Sequence, residues 1–211
     1  MKRDEKILVV PREILFREGA FQGFLPIADF TAYESLIAQY QQFEWRSAME
    51  TDTTFKQIIP YLVFTHDDTF FLMQRRGDAS ETRLRNNYTL GIGGHIREED
   101  LEHKSIIQWA QREFDEEVSY TGGLSITPIG LINDDSNAVG QVHIGFVYLL
   151  EGDSDSIAIK SELKDGSLMT IEQMTHHKGA METWSQFVFD YLKDVSEPPY
   201  KNHQSDTIST I

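Results

Sequence analysis

Gly91-Ile92-Gly93-Gly94-His95 leads through an acidic stretch into a segment that ends Arg112-Glu113-Phe114-Asp115-Glu116-Glu117-Val118. Ile106 or Ile107, Ala110, Phe114 and Val118 recur at helical spacing, which predicts an amphipathic helix with one apolar stripe. On that helix Glu113, Glu116 and Glu117 stand at i, i+3 and i+4, so the three carboxylates share one face. Two such groups about 5 Å apart repel by about 3 kcal/mol at an effective dielectric of about 20. They also occupy the last turn, where the helix dipole disfavours negative charge. A cation relieves that cost, and oxygen ligands in a chain without cysteine suit a hard ion, Mg2+ or Mn2+. The competing reading is a solvated acidic face, the usual fate of charge runs on amphipathic helices.

Outward from this stretch, Tyr88-Thr89-Leu90 reads as a strand that runs into the glycine turn, with the acidic helix following. Together these resemble the Nudix box, whose family pattern is G-x5-E-x7-R-E-U-x-E-E-x-G-U, with U an aliphatic or bulky apolar residue. The match rests on Gly94 and on residues 112–118. Gly94 and Arg112 are eighteen positions apart, four more than in the family pattern. Counted forward from Gly94, the first Glu position holds Asp100; counted back from Arg112, it holds Lys104; neither is assigned a role. Ser119 and Tyr120 take the last two positions, and Gly122 and Gly123 follow as alternative helix stops.

The resemblance implies an α/β fold, a Nudix-like α/β/α sandwich with a mixed sheet, over residues 56–195. It implies a metal-dependent hydrolase that cleaves a diphosphate linkage, often of a nucleoside diphosphate linked to another group. Glu113, Glu116 and Glu117 would hold Mg2+ or Mn2+, the first of them also serving as base. The backbone carbonyl of Gly93 would be a further ligand, and Arg112 would orient the glutamates. The partner implied is a small-molecule diphosphate, and a homodimer is compatible with the resemblance. Two other readings are a Nudix-fold nucleotide-binding or regulatory module without turnover, and an isopentenyl-diphosphate isomerase-like enzyme. The second uses a cysteine that this chain lacks.

The rest of the chain sets bounds. A length of 211 residues suits one domain, or one domain with an appendage. The net charge of −15 argues against nonspecific binding to a nucleic acid polymer or an anionic membrane. An anionic substrate must therefore be met by local arginines and metal. No apolar run reaches membrane-spanning length and the start lacks a signal core, so a cytoplasmic location is the default expectation. Residues 1–55 are expected to form an extension packing on the main domain, 56–195 the main domain, and 196–211 a loose tail.

Strands are expected at 7–10, 58–65, 69–76, 88–94, 126–132 and 141–150, and helices over 33–43 and 182–195, so the pattern fits an α/β sandwich. Arg75, Arg76, Arg83 and Arg85 are the dense basic cluster of an acidic chain. Arg75 and Arg76 are candidates to grip phosphate oxygens. His95 follows the paired glycines and is the third candidate substrate contact. Trp109 either packs or stacks on a base. Asp134 and Asp135 either form a turn or add a ligand. His143 is assigned no role.

Overall fold

The structure, a computed structural model, describes residues 4–27, 29–75, 87–102, 106–160 and 163–196. Phe55–His66 is buried at every position except its two ends. A strand buried along its whole length needs cover on both faces, which places it at the centre of a sheet.

In chain order the elements are β1 (Lys6–Pro11), α1 (Arg12–Leu15), β2 (Gly23–Pro26), α2 (Thr31–Tyr40), β3 (Gln42–Trp45), α3 (Arg46–Met49), β4 (Phe55–His66), β5 (Thr69–Arg75), β6 (Tyr88–Thr89) and β7 (Gly91–Gly93). After a 3-10 turn at Glu98–Glu102 come α4 (Ile106–Glu117), β8 (Val118–Tyr120), β9 (Leu124–Asn133), α5 (Ala138–Val142) and β10 (His143–Gly152). The chain continues through β11 (Ile157–Ile159), β12 (Leu163–Met169), α6 (Ile171–Thr175) and α7 (Thr183–Ser196).

The main path of the sheet runs β12-β5-β4-β10-β9-β2. β4 and β10 are parallel and the other pairings antiparallel, so the sheet is mixed. The second edge of β4 is shared by three strands. β1 takes Phe55 to Gln57, β7 takes Tyr61 to Val63, and β5 takes Thr65 and His66. Pro60, which has no N–H to give, falls in the gap between the β1 and β7 pairings.

Side chains of β4 alternate between two cores, as strand geometry requires. Ile58, Leu62 and Phe64 join Phe30 and Ile37 of the α2 region and Ile106, Ala110 and Phe114 of α4. Tyr61 and Val63 join Met174 of α6 and Val188, Phe189 and Leu192 of α7. Helices thus cover both faces, and the α/β/α sandwich expected from the sequence is the observed fold.

The first 55 residues enter this same sheet. β1 pairs with β4, β2 pairs with β9, and Phe30 meets Phe146 and Tyr148 edge to face. One expected strand shifts and further elements appear. The strand expected at 141–150 begins at His143, because Asn137 accepts the Gly140 N–H and starts a short helix there. Residues 163–169 form β12 against β5, and α6 then starts on a Thr170–Gln173 capping box. β8 and β11 make a small separate ribbon. Arg76, Arg83, Arg85 and residues 197–211 lie outside the described residues.

Candidate functional site

The glycine turn is fixed from the far side of the sheet. Ser185 of α7 stands 2.8 Å from the Tyr61 hydroxyl and accepts the Leu90 N–H at 3.0 Å. The Gly91 N–H donates to that same Tyr61 oxygen at 3.0 Å. A Cβ on residue 91 would lie 2.1 Å from the Tyr61 ring, so only glycine lets β7 run this close. β7 then delivers an exposed Gly93 and, after it, Gly94, to the flank of α4.

α4 buries Ile106, Ala110 and Phe114 of the stripe expected from its spacing, and Val118, also buried, opens β8 instead of closing the helix. Trp109 packs: it is buried, and its indole N–H donates to the Asp100 carbonyl at 2.6 Å. At the C-terminus the Lys160 ammonium donates to the Asp115 carbonyl and the Lys160 N–H to the Glu117 carbonyl. The last turn thus gains both a partner and a positive charge.

The other face of α4 centres on Arg112. Its Nε lies 2.9 Å from Asp100 Oδ1, and its Nη2 donates to Asp100 Oδ2 at 3.0 Å. Nη2 also reaches Glu113 Oε1 at 2.7 Å, and Nη1 donates to Glu116 Oε1 at 2.9 Å. The His95 carbonyl accepts from Nη2 at 3.3 Å. Asp100 is buried and further takes the Arg97 N–H at 2.8 Å. Of the two positions that counting left open, then, Asp100 meets Arg112, while Lys104 lies outside the described residues. Burial pushes the Glu113 carboxyl above its ordinary value; Arg112 opposes this and the Glu116 charge adds to it. Burial works against the Arg112 charge, but Glu113, Glu116 and Asp100 outweigh it and raise the guanidinium further.

Arg97, a residue the sequence did not single out, places its Nη2 3.6 Å from Glu116 Oε1. Glu117 is half-buried at the helix end, and its charge acts on Arg75. Arg75 itself forms an ion pair with Glu182, at the head of α7. The structure therefore brings Gly94, Arg112, Glu113 and Glu116 together and puts Arg75 within electrostatic reach of Glu117.

His95 points away from this cluster into a polar pocket. Its Nε2 lies 2.7 Å from Gln57 Oε1 and 3.2 Å from His143 Nε2. Gln57 Nε2 donates to the Met49 carbonyl, and His143 Nδ1–H donates to the Val139 carbonyl. Both facing atoms are then acceptors, so the neutral His95 ring carries its proton on Nε2. Burial depresses both imidazoles, that of His95 well below its ordinary value.

Asp134 and Asp135 bind the chain to itself. Asp134 is buried and accepts from Gln22, Ser136 and Asn137. Asp135 pairs with Arg12 and with Lys56. The Lys56 ammonium, fully enclosed, also donates to the carbonyls of Gly140 and His143. Its pKa falls to about 8, burial being the main cause. These side-chain hydrogen bonds and ion pairs fasten α1 and the segment before β2 to the loop after β9.

Among the described residues no group of three or more His, Cys, Asp or Glu side chains converges as a metal cage. The donor set nonetheless fits a hard divalent ion in kind: carboxylates on one helix face beside an exposed glycine turn. The space beside Glu113 exists because residue 94 has no Cβ. Arg112 spans Glu113 and Glu116, so guanidinium charge offsets part of the acidic face.

No protein-family model matches the chain. It is 35% identical over 208 residues to Protein YmaB of Bacillus subtilis (strain 168), covering 91% of this chain and 99% of that protein. Among solved structures, Tm1382, a candidate Nudix hydrolase, superposes with a TM-score of 0.76 at 33% identity, over 90% of this chain and 100% of Tm1382. The NUDIX domain of Shewanella oneidensis NrtR, complexed with ADP ribose, shares the fold at 14% identity and a TM-score of 0.52, over 66% of this chain and 88% of that one. No helix among the described residues is long and apolar enough to cross a membrane. An α/β/α frame, and relatives that match along nearly the whole length, lead to one assignment: the chain belongs to the Nudix superfamily.

Proposed function

We propose that this protein is a metal-dependent hydrolase that cleaves the phosphoanhydride bond of a small-molecule diphosphate, with a nucleoside diphosphate linked to another group as the substrate class. The observation that carries the reading is Arg112 gripping Asp100, Glu113 and Glu116 beside Gly94. That arrangement keeps three carboxylates in place at one rim of the sheet.

Glu113, Glu116 and Glu117 would hold Mg2+ or Mn2+, with the Gly93 carbonyl as a further oxygen ligand. Such an ion, when bound, lowers the pKa of water and neutralises charge on the breaking diphosphate. Arg112 orients Glu113 and Glu116. Glu113, whose carboxyl burial pushes above its ordinary value, is the carboxylate suited to act as base. Arg75, fixed by Glu182, and Arg76 are the candidates to meet substrate phosphate, with His95 behind the glycine turn. The reading carries with it a cytoplasmic location and a homodimer as further proposals.

One observation favours a second reading, a nucleotide-binding module without turnover: Glu113 and Glu116 already have guanidinium partners. A panel of nucleoside diphosphate conjugates, ADP-ribose among them, separates the two. Incubation with Mg2+ or Mn2+ releases nucleoside monophosphate or phosphate if the first reading is right. Tight binding with no product at any metal concentration would select the second.

A further inference from the structure

Glu113 and Glu116 differ in freedom. The Glu113 side chain is 15% exposed and rests on Gly94, whereas that of Glu116 is 54% exposed. One oxygen of Glu116, Oε1, faces two guanidinium groups, Arg112 at 2.9 Å and Arg97 at 3.6 Å. Arg112 is committed elsewhere as well, to Asp100 and Glu113. Arg97 has looser ties: a distant approach to Asp100 at 3.7 Å and the exposed Glu99 at 3.4 Å.

The backbone of Arg97 is held firmly. It lies in the loop that is four residues longer than the family pattern. The Leu8 N–H of β1 donates to the Ile96 carbonyl at 2.8 Å, Ile7 bridges to Arg97, and the Arg97 N–H is taken by Asp100. A strand from the N-terminal segment thus fixes the point from which the Arg97 side chain reaches over Glu116. Opposite charge near a carboxylate lowers its gain from any further cation. A divalent ion taking Glu116 must therefore draw it away from Arg97, an exchange that the 54% exposed Glu116 side chain can make by turning outward, without unpacking the core.

We propose that Arg97 competes with the divalent cation for Glu116, and so sets how tightly the acidic face of α4 takes up metal. The inference rests on the metal-site reading above. It makes Arg97 a positioning residue: it acts on the metal through Glu116.

The test is a Mn2+ titration of the full chain without substrate, with free Mn2+ followed by electron paramagnetic resonance. Arg97→Gln is expected to bind about two- to fivefold more tightly than wild type, the scale of a partly exposed ion pair. Arg97→Met, which keeps the aliphatic stem, should do the same if the glutamine variant fails to fold, and Arg97→Lys should return the affinity towards wild type. In a Glu116→Gln background the Arg97 substitution should lose its effect. Unchanged or weaker binding in both uncharged variants overturns the proposal. So does a tightening that persists in full without Glu116, since that would reflect the general field. Wild type that binds no Mn2+ would sink the metal reading together with this one; wild type that binds, with indifferent Arg97 variants, would sink this one alone.

Discussion

Gly94 and Glu113 touch so closely that a Cβ on residue 94 would stand 2.2 Å from Glu113 Oε2. The turn and the helix are thus fitted to one another at the carboxylate. Gly94→Ala would displace the far end of the Glu113 side chain and break its 2.7 Å contact with Arg112. The fold should tolerate this, with unfolding free energy lowered by about 1 kcal/mol. Turnover should fall by about tenfold or more, because roughly 1.4 kcal/mol of lost positioning is already a factor of ten. Parallel urea unfolding and rate measurements check the split; equal loss in neither or in stability alone would place Glu113 outside the chemistry.

Asp100 is a buried anion whose partner Arg112 is itself largely enclosed. Asp100→Asn sets an amide N–H where the carboxylate accepts from the Arg112 guanidinium and the Arg97 N–H, and buried donors left unmatched cost about 2 kcal/mol. A drop of that size in urea is expected. Glu113 and Glu116 would draw closer to Arg112, so metal affinity should fall with it. A neutral substitution here would mean that Arg112 is held by its helix alone.

The pair His95 and His143 makes stability depend on pH below neutrality. Both imidazoles have folded-state pKa values below the ordinary 6.5, through burial first. The unfolded chain therefore binds more protons than the folded one as pH falls through about 6.5. Stability from these groups is complete above that value and is lost as pH falls towards their folded values. The urea midpoint should be level from about pH 8 to 7 and decline between about 6.5 and 5, before most carboxylates titrate. His95→Gln combined with His143→Gln should flatten that decline; the same slope in the double variant would assign it to other groups.

Much of α4 was legible because its apolar stripe and its acidic face obey the same 3.6-residue period. The central strands were legible too, since β4 and β10 are apolar over most of their lengths and bounded by turn residues. The role of Asp100 was not, because the longer loop leaves counting from Gly94 and from Arg112 in disagreement. The path of the chain, pinned by Leu8 and Ile7, is what brings Asp100 to Arg112. Arg97 was hidden for the same reason: its position over Glu116 depends on a strand far away in sequence. β12 escaped because a bulge between Leu163 and Asp165, and Gly166 beside it, break its alternation. The His95–His143 contact had one faint signal, a histidine at the head of a largely apolar strand.

On the proposed reading the glutamates of α4 serve a divalent ion at a phosphoanhydride bond. Rates of diphosphate cleavage under saturating Mg2+ or Mn2+ test it most directly, with wild type set beside Glu116→Gln and Glu117→Gln. Product is expected only with metal present, with a loss of orders of magnitude in both variants and their folds intact. Wild-type rates in both, or cleavage that ignores the metal, would contradict it.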